Sequence, residues 1–172
     1  MKINSVEANN RKKVFEVETK TRVYAFPYAL LRIQPDAAHP VQDVFPDPEV
    51  GHEGFTYRLS DGREDTVHLD AVLEYNRDPD YLKDSLLHRL TLEAREAVDS
   101  TDLSKRELIR ALGTSASQLY RLLDPAYHKK SLGQMIALLH LLGREVEVVI
   151  SPRRKPPGPK RGSRGSRGTA AS

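Results

Sequence analysis

The side chains that could carry out acid–base or metal chemistry are concentrated in one short stretch of the chain. It contains His52, Asp61, Glu64, Asp65, His68 and Asp70. His68 and Asp70 are one residue apart, so on a β-strand both would face the same side, as a metal site or an acid–base pair requires. We favour the alternative that they are solvated residues at the rim of a hairpin. No glycine-rich phosphate loop, nucleophile elbow or His-Glu-x-x-His element accompanies them, so we expect a protein that is not an enzyme and binds no cofactor or metal.

A second set of side chains has the chemistry of phosphate and base recognition. Its members are Lys105, Ala116, Ser117, Gln118, Tyr120, Arg121, Lys129 and Lys130. Lysine binds phosphate, and arginine can donate two hydrogen bonds to the edge of a guanine. No carboxylate occurs between residues 116 and 121, which favours contact with a polyanion.

The sequence around this second set predicts two short helices joined by a tight turn. Ser104 and Glu107 have the spacing of a capping box that starts the first helix, and Gly113 stands where a positive φ would end it. Ser115 can cap a second helix that runs from about residue 116 to residue 123. Apolar residues supply the buried stripes of the two helices: Leu108, Ile109 and Leu112 in the first, and Leu119, Leu122 and Leu123 in the second.

This pattern resembles the lambda-repressor-like, or Xre-type, helix-turn-helix. The matching residues are Ser104-Lys105-x-Glu107-Leu108-Ile109-x-x-Leu112-Gly113-Thr114-Ser115-x-x-x-Leu119-x-Arg121-Leu122, and the helix predicted around residues 135–143 also matches. The version fused to HicB-type antitoxins is the most similar, and the resemblance covers residues 100–151.

The resemblance implies that double-stranded DNA is a partner. Base edges would be met by Ala116, Ser117 and Arg121, bases or phosphates by Gln118 and Tyr120, and backbone phosphates by Lys105, Lys129 and Lys130. Helical hairpins with the same caps also occur as pure packing modules, and that alternative stays open.

The end of this unit predicts a β-strand over residues 145–150. Val146, Val148 and Ile150 would point to one side of it. Helix-turn-helix proteins bind inverted repeats as two-fold dimers, so we expect a homodimer in which this strand pairs with its symmetry mate. Two alternatives remain, in which the strand docks on the N-terminal sheet or covers the core of its own domain.

Charge is distributed unevenly along the 172 residues, whose net charge is +3. Residues 1–101 carry a net −6, residues 102–151 a net +2 and residues 152–172 a net +7. DNA contact is therefore expected through the C-terminal half, which leaves the acidic part for a toxin or another protein partner.

The chain has no cysteine, so disulfides and thiolate metal sites are excluded. No apolar run is long enough for a membrane span.

The predicted fold class is α+β, in four parts. Residues 1–75 form a small antiparallel β domain, with hairpins at 14–18/22–26 and 55–59/66–69 and a further short strand at 41–45. Residues 78–99 form a connecting helix capped by Asp78. Its apolar face is Leu82, Leu86, Leu90, Ala94, Ala97 and Val98. Residues 100–151 form the all-α helix-turn-helix domain that ends in the strand, and residues 152–172 a disordered basic tail, which is either an arm on DNA or a solubilising terminus.

The sequence as a whole predicts a cytoplasmic, nucleoid-associated transcriptional regulator that binds DNA as a dimer. The alternative is an antitoxin or another protein-interaction module that neutralises a partner through its N-terminal domain, and one chain can have both roles.

Overall fold

The computed structural model describes residues 1–152 and has a mixed α+β fold with six strands and five helices. The predicted tail from residue 153 onward lies outside the described residues. No helix among the described residues is both long enough and apolar enough to cross a membrane.

The strands form two three-stranded antiparallel sheets. The first contains β1 (Ile3–Asn9), β2 (Val14–Thr19) and β3 (Val23–Pro27), and the second contains β4 (Val41–Pro46), β5 (Gly54–Leu59) and β6 (Glu64–His68). Both predicted hairpins and the short strand at 41–45 are confirmed, whereas β1 was not predicted. The two sheets share one core, since the Phe15 ring lies 4.9 Å from that of Phe55 and 5.4 Å from that of Tyr57.

A short helix that was not predicted, α1 (Leu69–Asn76), directly follows β6. The strand predicted through Leu69 therefore stops at His68, and Leu69, Val72 and Leu73 are buried at helical spacing. α1 packs on β3, where the Asn76 side chain donates a hydrogen bond to the Ala25 carbonyl at 3.0 Å. The buried side chains of α1, Leu69, Val72 and Leu73, belong to the core of the sheets.

The long helix α2 (Pro79–Ser100) joins the sheets to the helical part of the chain. As predicted, Asp78 caps it and accepts hydrogen bonds from the backbone N–H groups of Asp80 and Tyr81, both at 3.1 Å. The predicted apolar face was partly wrong. Leu82 and Leu86 are exposed, and Leu87 is buried in their place. In the C-terminal half the predicted side is the buried one, with Ala94 and Ala97 buried and Leu90 and Val98 packed against the helical core, so the prediction failed only in the N-terminal half.

Three shorter helices complete the fold: α3 (Lys105–Ala111), α4 (Ala116–Leu123) and α5 (Leu132–Leu141). They build a second core with α2, separate from the core of the sheets. Its buried members are Leu87, Ala94, Leu108, Leu119, Leu122, Met135, Leu138 and Leu139.

The predicted strand at residues 145–150 is absent from the described residues, which is a correction. Val146 is half-buried against the helical core, but Val148 is 77% and Ile150 is 92% exposed. The two alternatives in which this segment docks on the N-terminal sheet or covers its own core are therefore wrong for Val148 and Ile150. The physical reason is that no strand edge of the described chain lies alongside the segment to pair with it.

Candidate nucleic-acid interface

The helical pair α3–α4 begins with a capping box that the sequence predicted. The Ser104 hydroxyl accepts from the backbone N–H of Glu107 at 3.3 Å, and the Glu107 carboxylate accepts from the backbone N–H of Ser104 at 2.8 Å. Hydrogen bonds from Ser104 also hold the pKa of Glu107 below its usual value. The predicted capping box is confirmed, and it sets the direction in which α3 enters the core.

The turn between the helices depends on Gly113, whose φ is +59°. At such a φ a side chain would strain the backbone, so glycine is favoured although a Cβ would meet no other atom within 4 Å. Ser115 then starts α4 by accepting from the backbone N–H of Gln118 at 3.2 Å. Both predictions, the glycine stop and the serine cap, are confirmed.

α4 has one buried side and one exposed side. Leu119 and Leu122 are buried in the helical core. The exposed side carries Ala116, Ser117, Tyr120 and Arg121, and Gln118 lies half-buried at its margin. This surface is polar and cationic and contains no carboxylate.

Two cationic side chains at the exposed side of α4 each lie over a tyrosine ring. The Lys105 ammonium lies 5.4 Å from the centre of the Tyr120 ring, and the Arg121 guanidinium carbon lies 5.8 Å from the centre of the Tyr127 ring. Such cation–π contacts restrain long side chains and leave their charge at the surface. Lys105 and Arg121 are each exposed and each lie against a tyrosine ring.

Gln118 makes a contact that the sequence did not predict. Its side-chain amide donates to the side chain of Gln134, at the start of α5, at 3.0 Å. Gln134 also donates its backbone N–H to Ser131, the residue that caps α5, at 3.4 Å. The contact joins the first turns of α4 and α5. Lys129, which is exposed, lies in the loop just before α5.

Lys130 does not belong to this surface. It is only 9% exposed, and its ammonium donates to the Thr91 hydroxyl of α2 at 2.5 Å. Burial lowers the pKa of Lys130, and the charge of Asp124 opposes this effect. The expected phosphate contact of Lys130 is therefore corrected, since its charged end points into the core.

Beside Tyr120 there is a groove of about 350 Å³ between α2 and α4. Arg95 and Lys105 line it, but so do Asp99 and Asp124. The charge of its lining is therefore mixed.

The residues first considered for acid–base chemistry are not brought together as a strand would bring them. His68 is the last residue of β6 and Asp70 lies in the first turn of α1, so the shared strand face assumed for the pair does not exist. Within residues 1–152, no group of three or more His, Asp or Glu side chains could hold a metal ion.

A polar groove at the second sheet, of about 480 Å³, is lined by side chains that bind one another. Asp47 accepts from the Thr56 hydroxyl at 2.6 Å, which holds its pKa below the usual value, and Arg32 makes two hydrogen bonds to Asp65. These pairs fix the side chains of the groove to one another across the second sheet and the segment before it.

A scan against protein-family models, a search of the curated proteins and a search of the solved structures each found no match to the chain.

Sequence reasoning missed Tyr127 and Gln134, which restrain Arg121 and Gln118. The spacing of Ser131 and Gln134 is that of a capping motif, so it could have placed Gln134 in the first turn of α5. No local signal in the sequence could have shown that Gln134 meets Gln118 or that Tyr127 lies under Arg121, because both contacts depend on how α4, the following loop and α5 pack.

Proposed function

We propose that this protein is a sequence-specific DNA-binding transcriptional regulator that places α4 in the major groove. The observation that carries the proposal is the exposed face of α4, which bears Ser117, Tyr120 and Arg121 without any carboxylate, beside a capped partner helix. In DNA-binding helix-turn-helix units the second helix enters the groove and its N-terminal residues meet the bases, while the first helix crosses the backbone. The resemblance to the lambda-repressor-like pattern supports the same arrangement.

The side chains divide into two roles in this proposal. Ala116, Ser117 and Arg121 meet base edges, and Arg121 reads a guanine with two hydrogen bonds. Lys105 and Lys129 bind backbone phosphates on either side of α4. Gln118 and Tyr120 reach bases or phosphates, and their contacts to Gln134 and Lys105 restrain them.

Two copies would act together on an inverted repeat. A single helix-turn-helix unit reads about half of a site, and two-fold dimers bind two half-sites about one helical turn, or 10–10.5 base pairs, apart. We therefore propose that the operator is an inverted repeat with this spacing.

Selection from a random double-stranded DNA library with the full chain tests this function. We expect enrichment of one motif that contains two inverted half-sites. Binding that stays equal across all sequences would show that the helical pair is a packing module or a nonspecific binder.

A second function is supported by the organisation of the N-terminal part. It has a complete core of its own and a surplus of carboxylates, so it is not needed to build the α3–α4 surface and would repel phosphates. We propose that it binds a basic partner protein, as the N-terminal domain of an antitoxin binds its toxin. Co-expression with the product of a neighbouring gene for a small basic ribonuclease-like protein tests this role. Growth should be rescued by the full chain and by its Arg121→Ala variant alike.

A further inference from the structure

The segment after α5 is the most exposed apolar part of the described chain. Val148, Val149 and Ile150 are 77%, 83% and 92% exposed. Within the described residues, the backbone of residues 145–150 makes no hydrogen bond to another backbone group. A β-branched stretch with unpaired backbone groups is a template for pairing with another strand.

An apolar groove lies directly beside this segment. It measures about 420 Å³ and lies beside α5. Its lining is mostly apolar and also includes two charged side chains: Gly133, Ile136, Ala137, His140, Arg144, Glu145 and Val146. Ile136 is itself exposed. The same surface thus presents both an unpaired apolar segment and an apolar groove, and a two-fold interface requires this kind of self-complementarity.

We propose that a second copy of this chain occupies the groove. The two copies pair antiparallel through residues 145–151, with Val148 on the two-fold axis, and Ile150 of each copy fills the α5 groove of the other. The pairing deepens the proposed function because it supplies the dimer that an inverted repeat needs. It uses none of Lys105, Arg121 and Lys129.

The register follows from which residues would lie opposite each other. With Val148 on the axis, Val146 faces the partner's Ile150 and Glu147 faces the partner's Val149. Directly opposite residues share a face, so Val146, Val148 and Ile150 of both copies lie together on one side. Since Val146 lines the α5 groove, the partner's Ile150 comes to lie at that groove.

The neighbouring registers are less favourable. An axis at Glu147 sets two like charges opposite each other. A two-fold axis at Val149 sets Val146 opposite the partner's Pro152, which has no N–H to donate to the paired strand. It also moves Ile150 away from the groove.

Single cysteines can test the register because the chain has no native cysteine. In an antiparallel pair the Cα atoms of opposite residues are about 4.5–5.5 Å apart, within the range of a disulfide. We expect Val148→Cys to form a disulfide-linked dimer at least tenfold faster than Val149→Cys under mild oxidation, because the two 149 positions are offset by two residues and lie roughly 8 Å apart. Equal or faster crosslinking by Val149→Cys would overturn the register.

Sedimentation of charged variants tests the interface itself, in the absence of DNA. Val148→Lys and Ile136→Glu should each raise the dimer dissociation constant at least tenfold, with helical content unchanged because both side chains are already exposed in the single chain. The matched control Val149→Lys, on the other face of the strand, should change the dimer dissociation constant by less than threefold.

A wild-type chain that is monomeric at tens of micromolar, or a Val148→Lys variant that stays dimeric, would overturn the proposal. Arg121→Ala should dimerise normally, so failure of DNA binding and failure of pairing are distinguishable.

Discussion

At the scale of single residues, two neighbouring lysines have opposite surroundings. Lys129 is exposed just before α5, whereas the ammonium of Lys130 is buried against Thr91, whose hydroxyl donates in turn to the Leu87 carbonyl at 2.7 Å. Lys130 therefore ties the loop between α4 and α5 to α2. It positions the start of α5, and with it Gln134 and Lys129, without touching a ligand.

Replacing the two lysines should separate these roles. Lys129→Ala should weaken binding to all duplexes alike and reduce the slope of log affinity against log salt by about 0.9, because one phosphate contact is lost. Lys130→Met should leave the slope unchanged. Its unfolding free energy should change by no more than about 1.5 kcal/mol, because the loss of one hydrogen bond offsets relief of the buried charge. Fluorescence anisotropy across a salt series, with urea unfolding of both variants, measures this. If both variants reduced the salt slope equally, Lys130 would also bind a phosphate, and its assignment as a buried positioning residue would be wrong.

At the scale of elements, the start of α2 links the two cores. Besides capping the helix, the Asp78 carboxylate accepts from the Tyr24 hydroxyl of β3 at 2.9 Å and pairs with Arg22 at 3.4 Å. The hydrogen bond from the Tyr81 N–H, reinforced by those from Tyr24 and Arg22, holds the pKa of Asp78 below its usual value. One buried carboxylate thus fixes α2 to the first sheet.

Removal of this carboxylate should destabilise the link. Asp78→Ala should lower the free energy of unfolding by about 1–3 kcal/mol, since a cap and a side-chain hydrogen bond are both lost. Asp78→Asn keeps a capping oxygen and should lose less.

The same link should also depend on pH. Because the pKa of Asp78 is lower in the folded than in the unfolded chain, where it is about 3.9, its stabilisation is complete above that value and is lost as pH falls through the folded pKa. The stability difference between wild type and Asp78→Asn in urea unfolding should therefore shrink below about pH 4. A difference that is constant from pH 7 to pH 3 would contradict this role.

Sequence periodicity predicted most elements, and the missed ones have physical reasons. β1 buries Ile3 and Val6, which are three residues apart because the pairing with β2 shifts register between Ile3 and Ser5. The irregularity hides the period-two pattern of a strand. α1 has a helical pattern of buried residues but is only eight residues long, too short to outweigh the strand pattern before it.

The sequence likewise predicted the local features of the candidate site but not its long-range contacts. Capping and the glycine turn are local, so the sequence alone located α3 and α4 correctly. The burial of Lys130 depends on Thr91, 39 residues away along the chain, and no local pattern contains that contact. The segment after α5 has the alternation of a strand but pairs with no strand among residues 1–152, so its sequence predicted a strand that the described chain does not form.

At the scale of the whole molecule, charge is separated along the chain. The acidic residues concentrate in the part that builds the sheets and α2, and the positive surplus begins with α3. In the function we propose, this distribution would direct the helical part toward the DNA and the sheets away from it. The basic residues beyond position 152 extend the same polarity.

Deletion of residues 153–172 tests the contribution of that basic segment, which contains seven Lys or Arg and no Asp or Glu. With few apolar side chains to bury, its loss should change the melting temperature by less than about 2 °C, and it should weaken DNA binding mainly at low salt. A full-length control with the seven cations changed to glutamine should behave like the deletion. A fall of many degrees in the deletion variant would show that the segment contributes to folding.

The central claim is that α4 reads DNA sequence through Arg121, and base preference at each position of the selected motif tests it most directly. The comparison uses wild type, Arg121→Ala and the charge-matched control Arg110→Ala, which changes an exposed arginine of α3. We predict that Arg121→Ala loses a preference for guanine of about 5- to 150-fold, or 1–3 kcal/mol, at one position of each half-site, while the Arg110→Ala motif equals that of wild type. The claim would be contradicted by a wild-type chain that enriches no motif, or by an Arg121→Ala variant that keeps every base preference.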